Sequence, residues 1–483
     1  MKKSAVRIIC FLVILLLCLG YLNSVFKVKY GDGIYDVTKF YELEDNTVDV
    51  LFLGSSHAFE DFNTGTLWDE YGMASYVLAG SIQPMWNTYY YLKEALKTQT
   101  PELIVLEGYC TILSDEFLDD SRIIKNNYGL HFSKDKVDSL KVSSPEERWP
   151  EFFLEYTQYH TRYKALSSAD FLKDQGNPLY TNWKGFGCNM ETESFMQPSV
   201  SSVTERTPLF DKTEKYYRAT IELALENDIP IVVVISPYAG IGKEDQQIFN
   251  TAGDIAAEYS VPFLNCNLLN DEIGIDFSTD AGDFAHLNYR GNQKYTKYIG
   301  KYLTDNFDIT DRRGDERYLT WQADADFIRQ MIYDQELSES PDLPAIIPRL
   351  KNENYWIFIS VSGSCNRFEA PFSVLLDSLA IPENGKDGIW FATSGGPQWD
   401  SSMNNGEFFW RTPLHDFHLK RSKDKEGNYT NEIIIDNTDY TTVDNGLNIV
   451  VYDTMTEKVA DSVGFDADAG YAMVRKAEEE TKE

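Results

Sequence analysis

The chain has 483 residues, of which 43% are hydrophobic and 14% aromatic, enough for packed cores in two or three domains of about 100–200 residues each. Its 76 acidic residues outnumber 44 basic ones, and the net charge of −32 argues against a nucleic-acid partner, because a phosphate backbone would be repelled. The six cysteines include no CxxC pair, so the sequence predicts neither a zinc site nor a disulfide framework.

The N-terminus carries the clearest topological signal. Lys2, Lys3 and Arg7 precede an apolar run over residues 8–22 that continues weakly to residue 26. A run of this length could be a signal-peptide core, but no A-x-A-like cleavage site follows it. Because positive charges stay in the cytoplasm, residues 1–28 are predicted to be a cytoplasmic tip and an uncleaved signal anchor, with the membrane crossed by residues 8–26. The rest of the chain is then extracellular.

Short apolar runs alternate with helical patterns from residue 48 onward. The predicted strands cover residues 48–53, 74–79, 103–106, 229–235 and 261–265, and the predicted helices cover residues 85–97, 216–226, 246–259 and 291–306. This alternation is typical of a parallel sheet with helices on both faces, so residues 29–310 are predicted to form a three-layer, flavodoxin-like α/β domain. Residues 111–208 are too long for a simple connection and are predicted to be a helical cap over the carboxyl edge of the sheet.

The character of the sequence changes after residue 310. Residues 311–345 are charged and are predicted to be a helical linker. Short β-rich runs separated by Gly, Asn and Asp follow at residues 356–361, 388–392, 408–412, 432–435, 447–452 and 458–465. They predict a second, mainly β domain over residues 346–475. Residues 476–483 are predicted to be a disordered tail.

Two segments carry the chemistry of a serine nucleophile and its base. Gly54-Ser55-Ser56-His57 follows the first predicted strand, where a sharp turn into a helix would expose a hydroxyl and leave backbone N–H groups available to an oxyanion. Asp283 and His286 lie three apart in a loop before the last helix of the domain, so a carboxylate can orient an imidazole base there. Each segment alone has a common structural explanation, a Gly-Ser strand end or a helix-capping Asp. On chemistry alone, Ser55 and Ser56 are equal candidates for the nucleophile.

Together these segments resemble the SGNH/GDSL hydrolase superfamily, whose blocks are G-D-S, a Gly, G-x-N-D and D-x-x-H. Gly54-Ser55-Ser56 matches the first block with Ser in place of Asp, Gly80 matches the second, and Asp283 with His286 matches the last. The resemblance implies Ser56 as the nucleophile, His286 as the general base and Asp283 as the group that orients it. It also implies an oxyanion hole from the backbone N–H groups of Ser56 and Gly80, and it implies no cofactor and no metal.

The third block departs from the family pattern. The strand predicted at residues 103–106 is followed by Glu107-Gly108-Tyr109, with no Asn, so one oxyanion donor is missing or comes from elsewhere. Glu107 and Tyr109 are expected at the edge of the cleft, together with Ser55 and His57. The commoner role for Glu107 and Tyr109 is ordinary strand-end packing, and packing is also the expected role of His57.

The GSSH form, the missing Asn and the N-terminal anchor are similar to exported proteins that move acyl groups onto surface polymers, such as the D-alanyl transfer proteins of teichoic acid synthesis. This likeness covers about residues 45–310. It implies an esterase or O-acyltransferase with a cell-surface polysaccharide or teichoic acid as partner and a membrane-bound protein as acyl donor. The alternative is a catalytically degenerate SGNH-fold protein that binds glycan or serves as a scaffold in the cell envelope.

The predicted β domain closes with a hairpin over residues 444–453 and 458–466. This hairpin resembles the end of the interleukin-like EMT inducer domain, which implies a sugar-binding module. Trp399, beside Gly395 and Gly396, is expected to be an exposed aromatic that stacks on sugar. In the alternative interpretation Trp399 belongs to a core and the domain is a packing unit or spacer.

Overall fold

The computed structural model describes residues 2–27, 33–153, 158–164, 166, 168–171, 182–363, 372–381, 388–402, 406–423 and 429–476. The chain divides into two compact units, residues 1–326 and 327–483. The division falls inside a helix, Leu319–Ser338, which occupies much of the segment predicted to be a linker. Parts of the predicted cap, and residues 477–483 of the predicted tail, lie outside the described residues.

The chain begins with a long apolar helix, α1, Lys2–Phe26. Its segment Ala5–Phe26 contains 22 residues. At 1.5 Å per residue this segment is about 33 Å long, which matches the hydrocarbon core of a bilayer at ~30 Å. The helix is therefore long and apolar enough to cross a membrane, as the sequence predicts for residues 8–26.

The first unit is built on a five-stranded parallel sheet in the order β2-β1-β3-β4-β5, the order of flavodoxin-like folds. The strands are β1 Val50–Gly54, β2 Ser75–Ala79, β3 Leu103–Glu107, β4 Ile231–Ile235 and β5 Phe263–Asn265. Leu51 and Leu53 pack into the core on one face of the sheet, while Val50 and Phe52 pack into the core on the other. Because side chains alternate along a strand, β1 is apolar throughout and buried on both sides.

Helices cover both faces of this sheet. After α1, the helices up to the boundary between the two units are α2 Ile34–Phe40, α3 Ser56–Asp61, α4 Thr64–Tyr71, α5 Met85–Ala95, α6 Asp120–Lys125, α7 Lys134–Ser143, α8 Trp149–Phe153, α9 Asp211–Glu226, α10 Lys243–Glu258, α11 Asn270–Ile273, α12 Tyr289–Asn306 and α13 Leu319–Ser338. Helices α6, α7 and α8 belong to the predicted cap. In the described residues 182–208 the cap instead has a short turn, Trp183–Gly185, and extended chain. The prediction of a three-layer α/β fold is confirmed.

Two antiparallel sheets form the second unit, so the prediction of a mainly β second domain is also confirmed. The larger sheet has the order β15-β14-β13-β6-β7-β8 and the smaller has the order β12-β11-β10-β9. Their strands are β6 Tyr355–Ser362, β7 Gly388–Thr393, β8 Gly396–Asp400, β9 Glu407–Arg411, β10 Asp416–Lys423, β11 Tyr429–Ile435, β12 Thr438–Asp439, β13 Gly446–Asp453, β14 Lys458–Asp466 and β15 Ala472–Arg475. Two short helices, α14 Leu343–Arg349 and α15 Phe372–Ser378, accompany them.

The expectation that Trp399 is an exposed sugar-stacking residue is wrong. Trp399 is only 4% exposed and lies in a core shared by the two sheets, with Phe358 from the larger sheet and Phe417 from the smaller one. Its ring stacks on that of Phe408 at a centroid distance of 5.3 Å. The reason is the strand alternation of β8, in which Trp399 points to the core while Gln398 points outward.

Candidate active site

The first strand delivers the serine segment to the carboxyl edge of the sheet. β1 ends at Gly54, Ser55 is the N-cap, and α3 begins at Ser56. A Cβ atom at Gly54 would lie 2.7 Å from Cβ of Glu107 and 3.1 Å from Cβ of Ala58, so only glycine fits where the chain turns into the helix. The close approach of β3 therefore fixes the residue type at Gly54 and, through it, the position of Ser56.

Helix α3 presents two different pairs of side chains on two faces. Residues four apart share a face of a helix, so Ser56 and Glu60 point together and His57 and Asp61 point together. Ser56 and Glu60 line a cleft, whereas His57 and Asp61 are fully buried. The two pairs are offset by one residue, which is about 100° around the helix, so the groups that can meet a substrate and the groups that support them lie on different faces.

The loop between Asp283 and His286 is held by its own hydrogen bonds. Oδ1 of Asp283 accepts the backbone N–H of Ala285 at 2.7 Å and that of His286 at 2.9 Å. This is an Asx-type turn, in which a short carboxylate side chain organises the backbone that follows it. The carbonyl of His286 accepts the N–H of Gly282 at 3.0 Å, which closes the turn from the other side.

The two segments meet, although they are 230 residues apart in sequence. Nε2 of His286 lies 2.8 Å from Oγ of Ser56, and Nδ1 of His286 lies 2.9 Å from Oδ2 of Asp283. With the Nδ1 proton donated to Asp283, Nε2 accepts the hydroxyl proton of Ser56. This chain of hydrogen bonds has the connectivity of a Ser-His-Asp triad.

Charged neighbours set the protonation of the imidazole. Burial alone would lower the pKa of His286, but the hydrogen bond to Asp283 and the nearby carboxylates of Glu60 and Asp61 raise it to about 9. Burial works against ionisation of Asp283 too, yet its hydrogen bonds to the ring and to backbone N–H groups hold its pKa at about 2. Glu60, whose Oε2 lies 3.7 Å from Nδ1, has its pKa raised to about 7 by burial. His286 is therefore a base that becomes neutral only at alkaline pH.

Asp61 is a buried residue of α3 that binds the backbone of the loop carrying His286. Its Oδ1 accepts the backbone N–H of Leu287 at 3.0 Å, and its backbone carbonyl accepts the hydroxyl of Thr296 at 3.0 Å. Burial raises the pKa of the Asp61 carboxyl to about 8, so it is largely neutral at pH 7 and adds little charge to the site there. Its contact with Leu287 fixes the residue next to His286.

The other cleft candidates lie inside the protein. Ser55, His57 and Glu107 are fully buried, and Tyr109 is partly buried with its ring stacked on that of His57 at a centroid distance of 3.8 Å. Burial lowers the pKa of His57 well below its ordinary value, so this imidazole is neutral. Among the described residues that line the cleft, none of these four is found. A cleft position is therefore wrong for Ser55, His57 and Glu107, because the turn at Gly54 directs Ser55 inward and the aromatic stack covers His57. The burial of His57 and Glu107 agrees with the packing role that the sequence favours for them.

Glu107 occupies the place of the missing third-block residues. Its Oε1 accepts the backbone N–H of Tyr109 at 3.0 Å and that of Ser236 at 3.4 Å, so it ties the end of β3 to the end of β4. Burial raises the pKa of this carboxyl to about 8. Glu107 therefore stabilises the carboxyl edge of the sheet next to the turn at Gly54. With this raised pKa, its carboxyl is largely uncharged at neutral pH.

Gly80 directly follows β2 and lies among buried carboxamides that sequence reasoning missed. A Cβ atom at Gly80 would lie 2.5 Å from Oδ1 of Asn126 and 3.4 Å from Oε1 of Gln83. Both side chains are fully buried, and Nδ2 of Asn126 donates to the carbonyl of Ser81 at 3.1 Å. Asn126 follows α6, so the cap contributes directly to the packing around Gly80.

The cleft beside Ser56 has a volume of about 450 Å³, and most of the residues that line it are polar or charged. Its lining residues come from the serine helix, the histidine loop, the turn after β2 and the cap: Ser56, Glu60, Ser81, Ile82, Asp119, Ser121, Arg122, Lys125 and His286. Arg122 and Asp119 form an ion pair within this lining. The charged groups and hydroxyls in this lining can form hydrogen bonds with a polar substrate.

Three of the described side chains could also reach a single metal ion. One ligand atom each from Glu60, Asp283 and His286 lies within 4.8 Å of the others. Nδ1 of His286 faces both carboxylates, so an ion at that point would replace the proton that it shares with Asp283. Such an ion would break the hydrogen-bonded chain to Ser56 instead of completing it.

No protein-family model matches the sequence, and no curated protein matches it. Among solved structures, the chain has a distant likeness to a Bacteroides fragilis protein assigned as an acylhydrolase, with 11% identity over 55% of this chain and 93% of that chain and a TM-score of 0.29. It has a similar likeness to a lipase/acylhydrolase from Enterococcus faecalis, with 8% identity over 55% of this chain and 98% of that chain and a TM-score of 0.26. At these TM-scores the likeness carries no argument about function, which depends on the geometry of the site.

Proposed function

We propose that the protein is an SGNH-type serine esterase or O-acyltransferase that is anchored in the cell membrane and acts on a polysaccharide or teichoic acid at the cell surface. The observation that carries this proposal is the hydrogen-bonded chain from Ser56 through His286 to Asp283, with distances of 2.8 and 2.9 Å. Groups linked in this way convert a weakly reactive hydroxyl into a nucleophile.

In the first step, Oγ of Ser56 attacks the carbonyl carbon of an ester while Nε2 of His286 takes the hydroxyl proton. The negative charge that develops on the carbonyl oxygen is received by the backbone N–H groups of Ser56 and Gly80. The N–H of Ser56 is suited to this role because the first N–H groups of a helix have no intrahelical partner. The ester C–O bond then breaks, the imidazolium returns its proton to the leaving alkoxide, and the acyl group remains on Ser56.

In the second step, an acceptor hydroxyl attacks the acyl-enzyme. His286 takes the proton of this hydroxyl and then returns it to Ser56 as the acyl group leaves. If the acceptor is water the reaction is ester hydrolysis, and if it is a sugar or polyol hydroxyl the reaction is O-acyl transfer. The polar lining around Arg122, Lys125 and Ser121 supports a hydrophilic acceptor, and a membrane-bound acyl donor protein is the partner that such a transfer would need.

The proposal is tested by covalent labelling with a fluorophosphonate. The native chain should be labelled, Ser56→Ala should not be labelled, and Ser55→Ala should keep a measurable fraction of labelling. Ser55→Ala is a matched control because the two hydroxyls are adjacent and only that of Ser56 contacts His286. Equal loss in both variants, or loss in Ser55→Ala alone, would contradict the assignment of the nucleophile.

A second candidate is a catalytically degenerate protein of the same fold that serves as a glycan-binding or scaffold protein of the cell envelope. The favouring observation is the third block, where Glu107 is buried and Tyr109 stacks on His57, so neither supplies a side-chain donor to the cleft. A native chain that is folded but takes no fluorophosphonate label would support this candidate.

A further inference from the structure

A guanidinium group of the cap, that of Arg162, binds the end of the apolar N-terminal helix α1. Nη1 of Arg162 donates to the carbonyl oxygens of Val25, Phe26 and Lys27 at 3.5, 3.2 and 3.4 Å. The last carbonyls of a helix have no intrahelical partner and carry partial negative charge, so a guanidinium is stabilised there. Nη2 of Arg162 also pairs with the buried carboxylate of Asp170 at 2.5 Å, which fixes the guanidinium in place.

Apolar packing adds to this contact. Val25 is buried, and Phe26 packs against a core, called the cap core below, in which Ile34 of α2 joins the cap residues Ile123, Tyr128, Leu140, Phe152 and Tyr159. The end of α1 is therefore packed against the cap.

The same cap helix reaches both the anchor and the cleft. On α6, Ile123 lies in the cap core while Arg122 and Lys125 line the cleft beside Ser56. An α-helix with its side chains is about 10–12 Å across, so the cleft begins about one helix diameter from the core that holds Phe26.

The chain length gives an independent bound. Gly33 follows Phe26 by seven residues, and a Cβ atom at Gly33 would lie 2.8 Å from the carbonyl of Lys125 and 3.4 Å from Cα of Gly80. Seven residues span at most about 25 Å when fully extended. Lys125, which lines the cleft, is thus within about that distance of the end of α1, whatever path the chain takes.

Two large aromatic side chains beside Arg162 and Asp170 remain uncovered. Tyr163 is 60% exposed and Phe171 is 57% exposed. Lys164 is exposed as well, and its ammonium lies 5.7 Å from the centre of the Tyr163 ring. Tyrosine beside lysine is the combination that favours the headgroup layer of a bilayer, where the ring has an apolar body and the charge stays in water.

We infer that Tyr163, Lys164 and Phe171 form a membrane-docking face, which lies in the outer headgroup layer and holds the cleft next to the bilayer surface. The occupant of this face is lipid, because the face is continuous with a helix that is apolar and long enough to enter the bilayer at that point. The inference depends on the proposed membrane insertion of α1, but not on the reactivity of Ser56. Its consequence for the proposed reaction is that the cleft meets substrates presented at the membrane surface.

The test uses the full chain in nanodiscs of phosphatidylcholine, with an environment-sensitive NBD dye attached to a cysteine at Tyr163→Cys or Phe171→Cys and the signal of the unsubstituted chain subtracted. Both positions should give blue-shifted, brighter NBD emission than the same proteins in detergent-free buffer with the lipid removed. Leu268→Cys is the matched control. Leu268 is exposed and directly follows β5, which forms one edge of the five-stranded sheet. The opposite edge, β2, is the one that contacts α2, the helix after α1, because the hydroxyl of Tyr76 in β2 donates to the carbonyl of Asp36 in α2. The emission of this control should stay that of a water-exposed dye.

The role of Arg162 is tested in the same assay. Arg162→Gln should weaken the blue shift at Tyr163→Cys, whereas Arg206→Gln, which removes an exposed ion pair with Asp254, should leave it unchanged. A melting curve shows whether each variant is folded. Water-like emission at both aromatic positions in the folded native background would overturn the inference and would point to a protein partner for this face. Because the readout is spectroscopic, failure of the proposed esterase activity would appear separately, as a loss of fluorophosphonate labelling.

Discussion

Replacing Glu60 by Gln should make the site a better catalyst near neutral pH. His286 can accept the Ser56 proton only when its imidazole is neutral, and its pKa is raised to about 9. Activity should therefore rise with pH and level off above that value. Glu60 contributes to the raised pKa because its Oε2 lies 3.7 Å from Nδ1 of His286 and is ionised above its own pKa of about 7.

The size of the effect follows from the distance. Two unit charges about 4 Å apart interact by ~1 kcal/mol in water and by ~4 kcal/mol at an effective dielectric constant of 20. One pKa unit corresponds to about 1.4 kcal/mol, so the loss of the Glu60 charge should lower the pKa of His286 by about 1 unit or more. At pH 8, a shift of one unit raises the neutral fraction of His286 roughly fivefold.

The assay is kcat/KM for a small soluble acetyl ester between pH 6 and pH 10, corrected for the uncatalysed rate. Glu60→Gln should move the acid limb to lower pH and leave the alkaline plateau nearly unchanged. Glu258→Gln serves as a control, because Glu258 is an exposed carboxylate that pairs with Arg218. An unchanged midpoint in Glu60→Gln, or one displaced to higher pH, would refute the electrostatic reasoning.

Three further substitutions test the support of the site and of the second unit. Asp61→Leu should lower the free energy of unfolding by about 1–3 kcal/mol and should lower kcat, because the buried N–H of Leu287 loses its acceptor. Asp61→Asn should retain most of the stability in a chemical unfolding experiment and most of the kcat in an ester assay. Gly54→Ala should cost about 1–3 kcal/mol in the same unfolding experiment, because the new methyl group meets Glu107 at 2.7 Å. Trp399→Ala should destabilise the second unit by about 3–5 kcal/mol, and a melting curve of native stability would contradict its core position.

The sheet of the first unit could be predicted because its strands are continuous apolar runs. The segments over residues 50–54 and 231–235 are buried on both faces, so each residue had to be apolar and no helical period competes with the pattern. In the second unit, β10 was missed although Phe417 and Leu419 do alternate inward. Its outward positions are polar or charged, and the strand is half exposed, so its signal is weaker than that of a central strand.

The three residues of the hydrogen-bonded chain could be predicted from the sequence, but the burial and the charges around them could not. The block motifs indicate Ser56, Asp283 and His286, and the structure places these side chains within hydrogen-bonding distance. Glu60 could have been found from its spacing of four from Ser56 on a short helix. The burial of Ser55 could not have been predicted from the sequence, because it depends on the approach of β3 to β1, which no local pattern encodes.

The most direct test of the central claim is to trap the acyl-enzyme and locate it. The native chain is mixed with an activated acetyl ester, quenched in acid within the first turnover, digested and mapped by mass spectrometry. The acetyl group should be found on Ser56, and His286→Ala should accumulate far less of it, because the hydroxyl then has no base. An acetyl group on Ser55, or equal acetylation of the native chain and His286→Ala, would contradict a Ser-His-Asp mechanism at this site.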